Sequence, residues 1–328
     1  MSGALNVRHP YAVRISVVIP CFRSELTLGP VVEAIFAALA EPSAECPVSE
    51  FEVVLVVDGS TDGTADVANK LAATHREVRA IELRRNYGQH NALLAGILRA
   101  KYEVVVTMDD DLQHRADQIP AMLVPIARGE ADLVYGVPSE EEHGMWRSAA
   151  SRTVKRALAL AGVPAAEDVS AFRAFWTAQR EGFQHIQDPY VSLDVMLSWT
   201  TTSISRVVVQ MDQRLIGTSS YSVRALVRHA LNMITGYSNV PLRLVAWLGG
   251  MCALIGAVLG AVVIWKYASG DTTVAGFTTI AAMVAVFSGA QMLSLGIIGE
   301  YVGRLHTRST GKPSFVVKTD SDNPSPRQ

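Results

Sequence analysis

Two long stretches of this 328-residue chain carry no charge at all. Leu244 to Trp265 runs for 22 positions without Asp, Glu, Lys or Arg, and Thr272 to Gly299 has none either. Each is long enough to cross a hydrocarbon layer about 30 Å thick, so the pair reads as two transmembrane helices joined by Lys266 to Asp271. Buried helices of a soluble core are the alternative, but core helices seldom lack charge on every face. The joining loop is also poor in positive charge, holding Lys266 against Asp271, whereas Arg224, Arg228 and Arg243 precede the pair and Arg304, Arg308, Lys312 and Lys318 follow it. That bias places both ends, and everything before the helices, in the cytoplasm, with the pair crossing the membrane.

Other absences narrow the class. Cys21, Cys46 and Cys252 show neither metal nor redox spacing, which fits reduced thiols in the cytosol and assigns them no role. The opening MSGALNVRHPYAVR lacks an apolar h-region, so no cleaved signal peptide is expected. No G-x-G-x-x-G follows the first apolar run, which excludes a dinucleotide dehydrogenase. With a formal net charge of −2, no nucleic-acid partner is expected. The chain has no internal repeat.

What is present alternates between two periods. Apolar, β-branched runs at Ile15 to Ile19, Phe51 to Val57, Val78 to Leu83, Val104 to Met108 and Leu133 to Tyr135 read as buried parallel strands. Helical patterns at Leu26 to Ala40, Thr64 to Ala73, Gln89 to Ala100 and Gln118 to Ala127 separate them. The βαβα order predicts an α/β fold with a doubly wound sheet, whose ligands bind beyond the carboxyl ends of its strands. Asp58 and the run Asp109, Asp110, Asp111 in VTMDDDLQH both fall at such ends, so they converge on one cleft. Clustered carboxylates repel one another unless a hard cation sits among them, and Mg²⁺ completes its shell with water and phosphate oxygens. A metal nucleotide diphosphate is the expected guest; a solvated acidic loop is the competing reading.

SVVIPCFRSE, LVVDGSTDGT, RRNYGQHNALLAG, TMDDDLQH, DVSAFRAF and RLIGTSSYS, followed by the two-helix end and LGIIGEYVGRLH, together resemble the polyprenyl-phosphate glycosyltransferases of the GT-A, family 2 type. That group includes dolichyl-phosphate mannose synthase and the undecaprenyl-phosphate glucose and aminoarabinose transferases. The resemblance implies a GT-A domain, Rossmann-like with a mostly parallel sheet, followed by interfacial amphipathic helices and a transmembrane hairpin. It implies transfer of a sugar from a nucleotide diphosphate, UDP favoured, to the phosphate of a membrane polyprenol with inversion, using Mg²⁺ or Mn²⁺. A homo-oligomer built through the membrane helices is compatible with it.

Residue by residue, the resemblance makes Asp109 and Asp111 the DxD pair and Gln113 the Gln that follows, with these three as metal ligands and Asp111 foremost. Asp58 matches the second acid of the family's DDGS turn, which reads base and ribose, but Val57 stands where relatives carry the first. Pro20 shapes the wall of the nucleotide pocket. Arg84 and Asn86 open a helix turn suited to sugar or phosphate. DVSAFRAF corresponds to DxGDFR, so Asp168 becomes the candidate base or sugar-positioning residue and Arg173 carries over as a substrate contact, while Ala171 replaces the second Asp. A phosphate acceptor, with a second pKa of about 6, needs little deprotonation, which softens that loss. The RLIGTSSYS loop gives Arg214 the part of closing over the diphosphate, Gly217 that of hinge and Ser219 a place beside the substrate, with Ser220 replacing the usual Lys.

Two basic amphipathic stretches, from Met145 and from Tyr221, read as helices lying in a headgroup layer. Arg224 and Arg228 share a face and would attract anionic lipid or hold the polyprenyl phosphate; a solvated helix face is the rival. His90, His114, His143, His185 and His229 form no ligand spacing and read as ordinary. The expected organisation is an N-terminal tail at 1–14, the transferase domain at 15–215, a loop and interfacial helix at 216–243, two transmembrane helices at 244–299 and a basic cytosolic tail at 300–328 with a disordered end. A processive polysaccharide synthase is disfavoured because QxxRW is absent. Transfer to another membrane lipid and an inactive nucleotide-sugar binder remain as rivals.

Overall fold

The computed structural model describes residues 13–40, 48–138, 170–186, 191–212, 238–269 and 276–323. The chain divides into two compact units, Met1–Arg152 with Pro164–Ser220 and Gly311–Gln328, and Thr153–Val163 with Tyr221–Thr310.

The first unit holds strands β1 (Val13–Cys21), β2 (Val48–Val57), β3 (Val78–Leu83), β4 (Val104–Thr107), β5 (Leu133–Pro138), β6 (Arg173–Trp176), β7 (Ile204–Val209) and β8 (Val317–Asp320). They form one sheet in the order β7-β5-β6-β4-β1-β2-β3-β8. Helices α1 (Leu28–Ala40), α2 (Thr64–Thr74), α3 (Gln89–Ile97), α4 (Ile119–Ala127) and α5 (Leu193–Thr200) belong to the same unit. The β1–β2, β2–β3, β1–β4 and β5–β7 pairs are parallel, as the alternating pattern predicts. In β1 every residue except Arg14 is buried, because the sheet is covered on both faces. Ile15, Val17 and Ile19 join one core layer with Val31 and Ile35 of α1, and Val18 joins the other with Leu93 and Leu94 of α3. Gly96 lets α3 approach so closely: a Cβ there would lie 2.4 Å from Val18 Cγ1 and 2.9 Å from Val56 Cγ2. This contact sets the start of α3 beside the ends of β1 and β2.

Three strands are additions to the expected set. β6 runs antiparallel between β4 and β5, β7 pairs beyond β5, and β8 runs antiparallel to β3. The last corrects the expectation of a basic tail over 300–328 and of a domain ending at residue 215, since β8 is an edge strand of the same sheet. Asp320 is buried there against Arg79 at 2.7 Å, with Arg99 at 3.6 Å. A four-residue edge strand bearing Lys and Asp reads as a solvated tail until its partner strand is known.

The second unit holds α6 (Val240–Ala268) and α7 (Phe277–Ser309). Among the described residues, Val240–Lys266 is the helix long and apolar enough to cross a bilayer, with mean hydropathy 2.2 over its best window. Trp247 and Trp265, 80% and 76% exposed, sit about 27 Å apart along it at 1.5 Å per residue, where interface aromatics would mark the two faces of the layer. α7 carries the second charge-free run from Phe277 to Gly299; residues 272–275 of that run lie outside the described residues. The Tyr301 hydroxyl donates to the Ser238 carbonyl at 2.6 Å, tying α7 to the entry of α6.

Candidate active site

Successive crossovers carry the chain from β1 to β2 to β3 on one side, then to β4 on the other side of β1. The strand order therefore reverses between β1 and β4, which opens a crevice beyond their carboxyl ends. A cavity of about 380 Å³ lies there. The end of β1 lines it with Pro20, Cys21, Phe22, Arg23 and Ser24, β2 with Asp58, the entry to α3 with Asn86, Gly88 and Gln89, and β4 with Asp109, Asp110 and Asp111.

Asp58 is 3% exposed, and both its oxygens are engaged: the Tyr87 amide donates to Oδ1 at 2.7 Å and the Gly88 amide to Oδ2 at 2.8 Å. Burial raises its pKa, and these two amides oppose the rise. The carboxylate thus holds the 85–88 loop against the end of β2. Gly59 beside it adopts φ +57°, and a Cβ there would lie 2.2 Å from the Arg85 carbonyl carbon, so the turn is confined to glycine.

The acidic turn is organised carboxylate by carboxylate. Gln89 Nε2 donates to Asp109 Oδ1 at 2.7 Å, and the Asp109 amide donates to His114 Nδ1 at 3.0 Å. Asp110 faces the end of β1, where the Ser24 hydroxyl and the Phe22 amide both donate to Oδ2. The Gln113 amide donates to Asp111 Oδ1 at 3.1 Å, and Leu112 between them takes φ +62°. The exit of β7 closes over the same turn, with the Asp212 amide donating to the Gln113 carbonyl at 3.0 Å.

Burial, aided by the neighbouring Asp109 charge, raises the Asp110 pKa to about 6, while the Ser24 and Phe22 bonds oppose it. Between pH 6 and 3.8 the folded state holds a proton that the unfolded chain releases, so Asp110 contributes increasing stability as pH falls through that window. His114 works the other way. Burial lowers its pKa to about 4 from 6.5, so its contribution is lost as pH falls between those values. Asp110→Asn removes the first effect and leaves the second. Its thermal midpoint in EDTA should therefore fall more steeply than that of the parent as the pH is lowered from 6.5 to 4; parallel profiles would refute the assignment.

Pro20, Asp58, Asn86, Asp109, Asp110 and Asp111 are thus brought together as anticipated. Three expected site residues do not line the cavity. Arg84 is exposed and its amide donates to the Val316 carbonyl, beside β8. Gln113 uses its main chain to close the turn. Arg173 corrects the expectation of a substrate contact: it is 2% exposed inside the sheet, paired with Asp194 at 2.9 Å. Asp168, Arg214, Gly217, Ser219, Arg224 and Arg228 lie outside the described residues. Arg23, Ser24, Gln89 and His114 are additions. The strand-end rule applied to β1 locates the first two, whereas His114 is marked only by its place in the acidic motif.

Two family descriptions match separate parts of the chain: Glycosyl transferase family 2 over residues 16–166 and GtrB C-terminal hairpin over residues 240–305. The undecaprenyl-phosphate 4-deoxy-4-formamido-L-arabinose transferase of Pseudomonas aeruginosa is 30% identical over 316 residues, covering 94% of this chain and 91% of that protein. The chain belongs to glycosyl transferase family 2. The transferase of the same description from Pectobacterium carotovorum is 29% identical over 308 residues, 93% of this chain and 92% of that one. Among solved structures, glucosyl-3-phosphoglycerate synthase from Mycobacterium tuberculosis, in complex with Mn²⁺, uridine diphosphate and phosphoglyceric acid, is 17% identical, with a TM-score of 0.49, over 68% of this chain and 76% of that one. In this family 2 glycosyltransferase the matched region opens on β1 and takes in every cavity-lining residue named above.

Proposed function

We propose that this family 2 chain transfers a sugar from a nucleotide diphosphate, UDP favoured, to the phosphate of a membrane polyprenol, with inversion at the anomeric carbon. The observation that carries the reading is the convergence of Asp58, Asp109 and Asp111 on one cavity where the sheet order reverses. The acceptor follows from the relatives, whose names place undecaprenyl phosphate among their substrates.

The donor set suits a divalent Mg²⁺ or Mn²⁺. Asp109 and Asp111 offer hard oxygen donors, while Asp110 is directed to Ser24 and Phe22. No group of three or more His, Cys, Asp or Glu side chains among the described residues is disposed to hold a metal by itself. Two carboxylates supplemented by diphosphate oxygens and water are the usual complement for Mg²⁺. When bound, such an ion neutralises charge developing on the departing nucleotide diphosphate.

The chain's own groups do the rest. Gln89 orients Asp109, Asp58 keeps the Asn86 to Gly88 wall in place, and Arg23 lines the same cavity. Arg214 adds a second cation over the diphosphate, Asp168 positions the sugar or takes a proton, and the loop of Gly217 and Ser219 closes behind them. Arg224 and Arg228 draw the lipid phosphate to the headgroup layer, with α6 and α7 both crossing the bilayer and both chain ends in the cytosol.

A panel of radiolabelled nucleotide sugars, incubated with membranes bearing the protein and polyprenyl phosphate, tests the reading. One donor should yield an organic-soluble product labile to mild acid, and EDTA should stop its formation until Mg²⁺ or Mn²⁺ is restored. An acid-stable glycolipid would overturn the acceptor, and undiminished turnover in EDTA would overturn the metal.

A further inference from the structure

The acidic turn begins where β4 stops. Met108 makes the last main-chain bond to the neighbouring strand, its amide donating to the Val18 carbonyl. The next amide, that of Asp109, has run past the ladder and finds an acceptor in the side chain of His114, five residues on. Nδ1 accepts there, so the neutral ring carries its proton on Nε2. The ring is stacked on Phe172, with centroids 5.2 Å apart and planes inclined by 23°. Phe172 is fully buried at the entry to β6 and His114 is 8% exposed. On its other side the turn is anchored by the exit of β7, through a bridge from His114 to Met211 and the bond from Asp212 to Gln113. The imidazole is thus the only described side chain that ties the two ends of the Asp109 to His114 loop to each other, and the core holds its plane.

We propose that His114 is a positioning residue: its Nδ1, fixed by the Phe172 stack, holds the Asp109 amide so that the Asp109 and Asp111 carboxylates are set before the donor arrives. The assignment rests on the reading of those two carboxylates as metal ligands. Groups behind metal ligands commonly change metal affinity by about 10- to 100-fold when removed. The Asp109 and Asp111 carboxylates stand on a turn containing a left-handed leucine, and Leu112 occupies a conformation that a non-glycine residue enters only when its surroundings demand it.

Two variants separate the acceptor from the ring. His114→Phe keeps a flat ring for Phe172 and removes the acceptor; His114→Asn loses the ring and keeps an oxygen near the place of Nδ1. On the full chain in detergent and EDTA, deuterium uptake of the peptide spanning residues 106–114 should rise about tenfold in rate at Asp109 for His114→Phe, the equivalent of one lost hydrogen bond. Mn²⁺ affinity, read by electron paramagnetic resonance of the free ion, should weaken about 10- to 100-fold in the same variant. His114→Asn should restore most of both, and kcat should follow Mn²⁺ affinity more closely than the donor KM does. If His114→Phe does not fold, His114→Gln, whose acceptor reaches the Nε2 position instead, takes its place. Equal losses in the Phe and Asn variants would reduce His114 to packing and overturn the proposal. So would faster exchange with unchanged Mn²⁺ affinity, or no change in either. Should the parent chain itself bind no Mn²⁺, the metal reading falls, while deuterium uptake still judges whether His114 holds the turn.

Discussion

Asp111→Asn should lower kcat/KM by about 10²- to 10³-fold, the usual cost of removing one group that stabilises charge developing in the transition state. The substitution is a clean one. Asn retains an oxygen for the Gln113 amide, so the bond at 3.1 Å that shapes the turn survives while the charge is lost. The loss should appear mainly in kcat, because the deficit is felt most when the diphosphate leaves. Asp110→Asn is the internal comparison. Its carboxylate is directed to the Ser24 hydroxyl and the Phe22 amide, so neutralising it should cost far less. Steady-state assays of both variants at fixed Mn²⁺ would decide: equal losses, or an active Asp111→Asn, would remove Asp111 from the centre of the mechanism.

Asp194→Ala should destabilise the first unit by about 3 to 5 kcal/mol, the range for stripping one partner from a buried ion pair. Asp194 on α5 sits 2.9 Å from an Arg173 guanidinium nitrogen, and the Tyr135 hydroxyl donates to it at 3.2 Å. Arg173 also reaches Thr107 Oγ1 at 3.3 Å, and its Nε has no hydrogen-bond partner among the described residues. Without Asp194 the guanidinium stays buried between β4 and β5 with its charge uncompensated. Replacing both residues, as in Arg173→Met with Asp194→Leu, should recover most of the loss, because burying two apolar side chains carries no desolvation cost of charge. Denaturant unfolding of the detergent-solubilised chain measures this. A single variant as stable as the parent, or a double variant no better than the single, would show that the pair is not what holds β6 in place.

The contrast between Arg173 and Arg23 shows what was legible. Arg173 stands in a recognisable motif, and the motif suggested a ligand contact, yet its strand lies antiparallel between two others with Asp194 waiting beside it. Arg23 stands in no motif that singles it out, yet it follows the first strand directly and so reaches the cavity. His114 was visible inside TMDDDLQH, but its role depends on Phe172, more than fifty residues away in the chain. Periodicity marks strands that are buried on both faces, and so β1 to β5 were legible. β6 opens on a charged residue, β7 is largely exposed and β8 is a short charged edge, so only their partners make them strands.

By itself the sequence determined the α/β order, the charge-free helices, and the fact that the acids after β2 and β4 meet, because hydrophobic period and strand-end position are properties of the local chain. Only the tertiary structure decided which partner each of those acids takes, where Arg173 spends its charge, and that the chain returns after α7 to complete the sheet. Those outcomes depend on pairings between residues far apart in sequence, and the free energy of a buried charge is set by the partner it meets.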